Sequence, residues 1–200
     1  MSDVFIVSPN SWLQEGVIHT LKNSNAVHCY SSVAVLLKAE PVCTGWLLLH
    51  IPNTGGDQPD IVTLASLIAL WAARGLQVAL LVDHSHNNAM LKRWLNITHV
   101  FDLTRSQLDF IPWFTSWTQN YQTTSVNASP LSLLTGKDWA LIQATSQGIS
   151  LASLGDQLGE NIKTLHSRRK GVIKKLGLQT TRELQLIMIR WGAISHLVPD

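Results

Sequence analysis

The first 119 residues alternate short apolar runs with longer segments in which apolar residues recur at helical spacing. The apolar runs predict five β-strands, which are Val4–Val7, Val27–Tyr30, Gly45–His50, Gln77–Val82 and His99–Leu103. The intervening segments predict five helices, which are Ser11–Leu21, Ser32–Ala39, Ile61–Arg74, Asn88–Leu95 and Ser106–Gln119. Pro112 predicts a kink in the last of these helices, or a start near Ile111. Because strands that alternate with helices form parallel sheets, we expect an α/β fold, with a five-stranded doubly wound sheet over residues 1–119.

The remainder of the chain has a different pattern. Residues 120–133 are rich in Ser, Thr and Asn and carry no charge, which is typical of a flexible linker. Residues 134–200 predict an all-α domain of four helices, the last running from Thr181 to about Ile194. Each of the first three has a capping residue before it and a glycine after it, namely Thr135 and Gly148, Ser150 and Gly159, and Asn161 and Gly177. The second and third helices, joined by a tight glycine-containing turn, are typical of a helix-turn-helix.

The third of these helices has two chemically distinct sides. Its apolar residues share one side and are predicted to close a small core; they are Ile162, Leu165, Val172, Ile173 and Leu176. The opposite side is polar and basic, with Lys163, His166, Ser167, Lys170 and Lys174, flanked by Arg168 and Lys175. A stripe of hydrogen-bond donors suits the major groove of DNA, and flanking cations can neutralise phosphates. A solvated basic helix would look similar, so the helix-turn-helix setting is what favours DNA.

Composition changes this picture in only a few respects. Hydrophobic residues make up 46% of the chain and charged residues 14%, which is typical of a globular protein. Residues 1–133 contain six basic and eight acidic residues, whereas residues 134–200 contain nine and five, so the basic excess coincides with the helix-turn-helix. The N-terminus has no secretory pattern, no apolar run is long enough to span a bilayer, and Cys29 and Cys43 lack metal-ligand spacing. We therefore expect a cytoplasmic protein without membrane contact.

The sequence also lacks the motifs of common cofactor and enzyme sites. It contains no Walker loop, glycine-rich dinucleotide turn, nucleophile-elbow serine or zinc signature. His84 and His86 could suggest a metal site, but their spacing without a nearby cysteine is more typical of an exposed loop. We expect no enzymatic activity, no cofactor and no metal.

The segment from Leu134 to Leu178 resembles the LuxR-type (NarL/FixJ) DNA-binding domain. The matching positions keep their spacing across three helices; they are Leu134-Thr135, Asp138, Gly148, Leu158-Gly159, Lys163-Thr164-Leu165 and Lys174-Lys175-Leu176-Gly177. The resemblance implies base contacts by His166, Ser167 and Lys170. It implies that Thr164, Arg168 and Lys175 lie nearer to phosphates. It also implies a dimer interface on the fourth helix, with Ile187 and Trp191 as anchors.

Four positions depart from the pattern of this family. Gly136 stands where a proline is usual, and Ser153 stands where the second helix usually carries glutamate. Glu160 replaces an apolar residue, and Arg168 replaces a histidine of the recognition helix. These changes affect the helix ends and the expected contacts more than the expected fold.

The five strand–helix units ahead of this domain resemble a response-regulator receiver, which implies the strand order 2-1-3-4-5. Receivers phosphorylate their own aspartate, using two acids after the first strand, the aspartate at the end of the third and a lysine after the fifth. These places hold Ser8-Pro9-Asn10, His50 and Leu103-Thr104 here. Three other aspartates lie further along their loops, at Asp57, Asp60 and Asp83. We therefore predict a degenerate receiver in which His50 marks the former phosphoacceptor position and is a hydrogen-bonded structural residue.

Eight tryptophans are many for 200 residues. Trp46 and Trp71 lie inside apolar runs and are predicted to be core residues. Trp113 and Trp117 are four residues apart and so share one face of the fifth helix. Because receivers often dimerise through their fourth and fifth helices, this pair is either a dimer interface or part of the packing against the sheet.

Together, these features predict a bacterial transcription regulator that binds double-stranded promoter DNA as a dimer and independently of aspartyl phosphorylation. A degenerate receiver with this helix-turn-helix resembles auxiliary regulators of the RcsA/BglJ kind, which implies a heterodimer with an RcsB-like response regulator as an alternative to a homodimer. Two other functions remain open. One is an interaction protein that captures another response regulator and has little DNA affinity, and the other is a pseudo-receiver that binds a small molecule in the emptied acidic pocket.

Overall fold

Alternating strands and helices build the N-terminal part of the chain, and helices alone build the C-terminal part. The structure is a computed structural model that describes residues 3–21, 26–39, 44–52, 60–83, 88–120 and 129–190. For residues 88, 107 and 186–190 it describes the backbone alone. The chain divides into two compact units, residues 1–59 with 63–127 and residues 60–62 with 128–200.

Five parallel strands form one sheet in the order β2-β1-β3-β4-β5, which confirms the predicted topology. The strands are β1 (Val4–Val7), β2 (Val27–Tyr30), β3 (Gly45–Ile51), β4 (Leu76–Val82) and β5 (Val100–Asp102). The helices between and after them are α1 (Ser11–Leu21), α2 (Val33–Lys38), α3 (Ile61–Ala73), α4 (Asn88–Leu95) and α5 (Phe110–Gln119). A 3₁₀ turn at Gln107–Asp109 precedes α5, so Pro112 lies in the first turn of the α-helix, where its missing N–H removes no hydrogen bond.

Both faces of the sheet are buried, and its strands therefore read as continuous apolar runs rather than as alternating ones. One face packs against α1 and α5 in a core of Val4, Ile6, Val17, Leu21, Leu48, Ala79, Leu81, Phe101, Phe110, Phe114 and Trp117. Trp71 is also fully buried, as predicted, whereas Trp46 is half-buried at the edge of this core.

The C-terminal unit begins earlier than the linker prediction allowed. Pro130–Leu133 forms a 3₁₀ turn whose Leu131 is buried, so the end of the predicted linker belongs to the folded unit. Residues 121–128 lie outside the described residues. The helices are α6 (Gly136–Ser146), α7 (Leu151–Leu158), α8 (Ile162–Leu176) and α9 (Thr181–Arg190). The predicted continuation of α9 to Ile194 lies beyond the described residues.

Local hydrogen bonds confirm the predicted starts of α6, α7 and α8. Thr135 forms a reciprocal capping box with Asp138, and the Ser150 hydroxyl accepts the backbone N–H of Ser153. The Asn161 side chain accepts the backbone N–H of Lys163 at 2.9 Å. Gly159 has φ +62°, a left-handed conformation that ends α7 and that residues with a Cβ rarely adopt.

Candidate nucleic-acid interface

The turn between α7 and α8 is held tightly by backbone contacts. The Glu160 N–H donates to the carbonyl oxygen of Gly155 at 3.0 Å. A Cβ on Gly155 would lie 2.8 Å from the Glu160 carbonyl oxygen, so the close approach of the two backbones requires glycine at this position. Leu154 of α7 and Leu165 of α8 are buried. These contacts keep α8 in a defined orientation on the helix that precedes it.

Burial separates the two sides of α8 largely as the sequence predicted. Leu165, Val172 and Leu176 are buried and Ile173 is half-buried. The prediction for Ile162 is wrong, because its side chain is 44% exposed in the first turn, before α8 reaches the core. The polar face is exposed along its length and consists of Lys163, Thr164, His166, Ser167, Lys170 and Lys174. Among the described residues, no acid pairs with the three lysines of this face.

The two flanking cations of α8 are instead held by acids of the same unit. Arg168 donates from Nη2 to both carboxylate oxygens of Glu160, at 3.2 and 3.3 Å. Its Nη1 lies 3.7 Å from Asp138 Oδ1, and Lys175 Nζ donates to Asp138 Oδ2 at 2.8 Å. Lys137 Nζ donates to Glu160 Oε1 at 2.6 Å. The charges of Arg168 and Lys175 are therefore largely used to join α8 to α6 and to the turn.

The pKa values of the two acids reflect this arrangement. Burial by itself raises the pKa of Asp138, but hydrogen bonds from Lys175 and Thr135 outweigh it, so the pKa lies below its usual value. The hydrogen bond from Lys137 lowers the pKa of Glu160, burial opposes this change, and the charge of Arg168 adds to it. Both acids are therefore ionised at neutral pH, as the neighbouring cations require.

Two of the four departures from the LuxR-type pattern contact each other in this network. Glu160 stands where that family has an apolar residue, and Arg168 stands where it has a histidine. The two side chains form an ion pair across the turn. The sequence shows both departures, but only the fold shows that each supplies the partner of the other.

The edge of the sheet at which the sequence predicts a degenerate phosphoacceptor position carries a series of hydrogen bonds. Register places Val7 of β1 beside Leu49 of β3, so Ser8 and His50, which follow them, are neighbours. Ser8 Oγ lies 2.8 Å from His50 Nδ1, and His50 Nε2 lies 2.9 Å from Asp83 Oδ1. Ser8 and His50 are buried. In a neutral imidazole whose Nε2–H is donated to the carboxylate of Asp83, Nδ1 is the acceptor for the hydroxyl group of Ser8.

Of these three hydrogen-bonded residues, Asp83 is the one that the sequence places too far along its loop. It follows the last residue of β4, and β4 lies next to β3 in the sheet, which brings its carboxylate to His50. The signal was available in the predicted strand order, because residues just after adjacent parallel strands meet at one edge. At the end of β5, Asp102 accepts both the N–H and the hydroxyl of Thr104, at 2.9 and 2.6 Å.

The tryptophans predicted as a dimer interface are core residues to different degrees. Trp117 is fully buried and packs edge-to-face on Trp46 with ring centroids 4.9 Å apart, so the interface prediction is wrong for it. Trp117 shares the buried face of α5 with Phe110 and Phe114, and this face packs against the sheet. Trp113 is half-buried and packs on Phe101. The side chain of Ile187 and all of Trp191 lie outside the described residues.

Within the described ranges, no group of three or more His, Cys, Asp or Glu side chains is placed to hold a metal ion; His84 and His86 fall outside them. None of the helices described is both long enough and apolar enough to cross a membrane.

The fold has counterparts among solved structures, although no protein-family profile and no curated protein matches the sequence. A structure of the two-component response regulator RcsB in complex with DNA matches with a TM-score of 0.59 and 18% identity over 94% of this chain and 97% of that chain. RcsB from Salmonella enterica serovar Typhimurium bound to the promoter rprA with a phosphomimetic matches with a TM-score of 0.60 and 17% identity, over 94% and 98%. This chain therefore has the fold of these response regulators, an α/β domain followed by a helical domain.

Proposed function

We propose that this chain is a transcription regulator that binds double-stranded DNA through the exposed face of α8. The observation that carries the proposal is the contrast between the two sides of this helix. One side is closed into the core by Leu165, Val172 and Leu176. The other side exposes three lysines that pair with no acid in the described part of the chain, with His166 and Ser167 between them. Lysines can neutralise phosphates, and short polar side chains can reach base edges in the major groove. The structures of similar fold include RcsB bound to DNA.

Within this proposal the residues of α8 have different roles. Lys170, His166 and Ser167 lie near the middle of the exposed face and are assigned to base edges. Lys163, Thr164 and Lys174 are assigned to the phosphates at the two sides of the groove. Arg168 and Lys175 belong to the sequence-based set, but their ion pairs with Glu160 and Asp138 give them a mainly structural role.

The DNA complex is proposed to be dimeric, because one recognition helix covers only a few base pairs. A dimer would read two half-sites whose centres are separated by about 34 Å or a multiple of it, one turn of DNA. A solved structure of similar fold contains two RcsB dimers on two parallel DNAs. A heterodimer with an RcsB-like response regulator is the other assembly that would supply the second helix.

We also infer that DNA binding is independent of aspartyl phosphorylation. Each ring nitrogen of His50 lies within hydrogen-bond distance of a partner, Nδ1 of Ser8 and Nε2 of Asp83. To attack a phosphoryl donor, either nitrogen would first have to break its hydrogen bond. Ser8 occupies a place where a receiver needs a carboxylate for Mg²⁺. DNA affinity measured with and without beryllofluoride and Mg²⁺ should be the same, and a tenfold gain would refute this inference.

The test of DNA binding is a salt titration with genomic fragments, followed by sequencing of the bound DNA. We expect Lys170→Ala to weaken binding to the preferred fragments roughly 5-fold to 150-fold. Lys38→Ala removes the same charge from an exposed position on α2 of the other unit and is the matched control. Binding that needs an added RcsB-like response regulator would indicate an auxiliary subunit. Binding that is weak and insensitive to Lys170→Ala in both settings would refute the proposal.

A further inference from the structure

Arg169, which the sequence analysis did not single out, contacts the recognition face through His166. The two residues are three positions apart on α8 and are therefore neighbours on the helix surface. Arg169 Nη2 lies 3.2 Å from His166 Nδ1. Arg169 is half-buried, whereas His166 is exposed between Lys163 and Lys170 on the face assigned to DNA. Arg168, one residue earlier, is turned away from this face by Glu160.

The contact between Arg169 and His166 determines which ring nitrogen of a neutral His166 carries the proton. A guanidinium group stays charged in proteins and offers only donors, so it can bond to Nδ1 only when that nitrogen has a free lone pair. A neutral imidazole carries one N–H, which must then be on Nε2. The other ring nitrogen of His166 is therefore a donor and not an acceptor.

We propose that Arg169 is a positioning residue that sets His166 to read a hydrogen-bond acceptor on a base edge. This inference rests on the proposed function and deepens it. In the major groove the acceptors are N7 and O6 of guanine, N7 of adenine and O4 of thymine, whereas cytosine presents an amino donor. An Nε2–H favours the first group and disfavours cytosine at the base pair it faces. The opposite tautomer would present a lone pair and reverse this preference.

The first arm of the test uses the free full-length protein, so it does not depend on DNA. Two-bond ¹H–¹⁵N correlation spectra at about pH 8 report which nitrogen of each histidine holds the proton, and the His166→Gln spectrum assigns the signal. We expect the Nε2–H form alone in the wild type and in Arg169→Lys, whose ammonium group also only donates. Arg169→Met keeps the apolar stem but not the donor, and both tautomers should then exchange. Identical tautomer populations in the wild type and Arg169→Met would overturn the proposal.

The second arm compares the base preferences of the same variants by sequencing the selected DNA. The wild type and Arg169→Lys should disfavour cytosine at one position of each half-site. Arg169→Met should reduce this discrimination roughly threefold to tenfold, the effect of one hydrogen bond. His166→Ala should lose it at the same position, with no further loss in the double variant.

The remaining outcomes separate this inference from the function it rests on. If Arg169→Met weakens binding to all sequences equally and reduces the salt slope by about one, Arg169 is a phosphate contact and the proposal is wrong. If the wild type shows no salt-dependent DNA binding, the proposed function fails and the base reading fails with it. In that case the tautomer spectra still decide whether Arg169 sets the proton of His166.

Discussion

Replacing Asp138 by asparagine should loosen the helix-turn-helix unit, because it removes the charge that holds two cations of α8. Asp138 is only 4% exposed and accepts hydrogen bonds from Lys175 and from the backbone of Thr135. Asparagine keeps an oxygen for the backbone N–H, so the capping contact survives in part and the loss is mainly electrostatic. Asp156→Asn is the matched control, because Asp156 is exposed on α7 and forms no ion pair with a described residue.

The magnitude follows from the burial of the partners. Removing one member of a fully buried ion pair costs about 3–5 kcal/mol, whereas an exposed pair contributes about 0–1 kcal/mol. Lys175 is 37% exposed and can return to water, and Arg168 keeps Glu160 as a partner. We therefore expect a loss of about 2 kcal/mol, between these limits. Asp156→Asn should change the free energy of unfolding by less than about 0.5 kcal/mol.

Hydrogen exchange followed by mass spectrometry measures this loss within the full chain. A change of about 2 kcal/mol corresponds to roughly 30-fold faster exchange of the most protected amides in α6 and α8. Peptides from the sheet should be unaffected. Equal protection in the wild type and Asp138→Asn, or an equal loss in Asp156→Asn, would refute the reasoning.

The pH dependence gives an independent check on the sign. Because the folded state lowers the pKa of Asp138, its stabilisation is complete above the ordinary value of 3.8 and is lost as the pH falls through the lower folded value. The difference in protection between the wild type and Asp138→Asn should therefore stay constant near neutral pH and shrink below pH 3.8. Glu160 titrates in the same direction in both proteins and so does not produce this difference. A gap that widens on acidification would contradict the assigned ion pair.

Substitutions at three other positions test the packing and the hydrogen bonds, and two of them have a control substitution elsewhere. Gly155→Ala should destabilise the protein by about 1–3 kcal/mol, since the new Cβ would meet a backbone oxygen at 2.8 Å. Gly171→Ala should stabilise it by up to about 1 kcal/mol, because a Cβ at that helical position would meet no other atom within 4 Å. The melting temperature should therefore fall in Gly155→Ala and rise in Gly171→Ala. Trp117→Ala should lower the free energy of unfolding, measured in urea, by about 3–5 kcal/mol. Trp12 is 83% exposed, so Trp12→Ala should lower it by less than about 0.5 kcal/mol. Similar losses in the two variants would contradict the core position of Trp117. His50→Ala should cost about 1–3 kcal/mol by the same assay, and a more stable variant would contradict its hydrogen bonds.

Much of the fold could be predicted from the sequence because its signals are local. The N-terminal starts of α6, α7 and α8 follow from Thr135, Ser150 and Asn161, whose side chains accept hydrogen bonds from backbone N–H groups two or three residues away. The strand order followed from the receiver resemblance and is confirmed. The error at Ile162 was also local in origin. Ile162 has the spacing of a core residue, but α8 begins before its first turn reaches the core.

The sequence by itself determined the elements of this protein, their order and the basic, polar face of α8, since helical periodicity, caps and apolar runs act between near neighbours. The tertiary structure decided which cations of α8 are paired with acids and which side chains bond to one another where β1, β3 and β4 end. Ser8 and His50 are 42 residues apart and His50 and Asp83 are 33 apart, and they meet because β1, β3 and β4 are adjacent. Lys175 reaches Asp138 across 37 residues in the same way. Contacts of this kind depend on the register and packing of whole elements, and no short stretch of sequence carries that information.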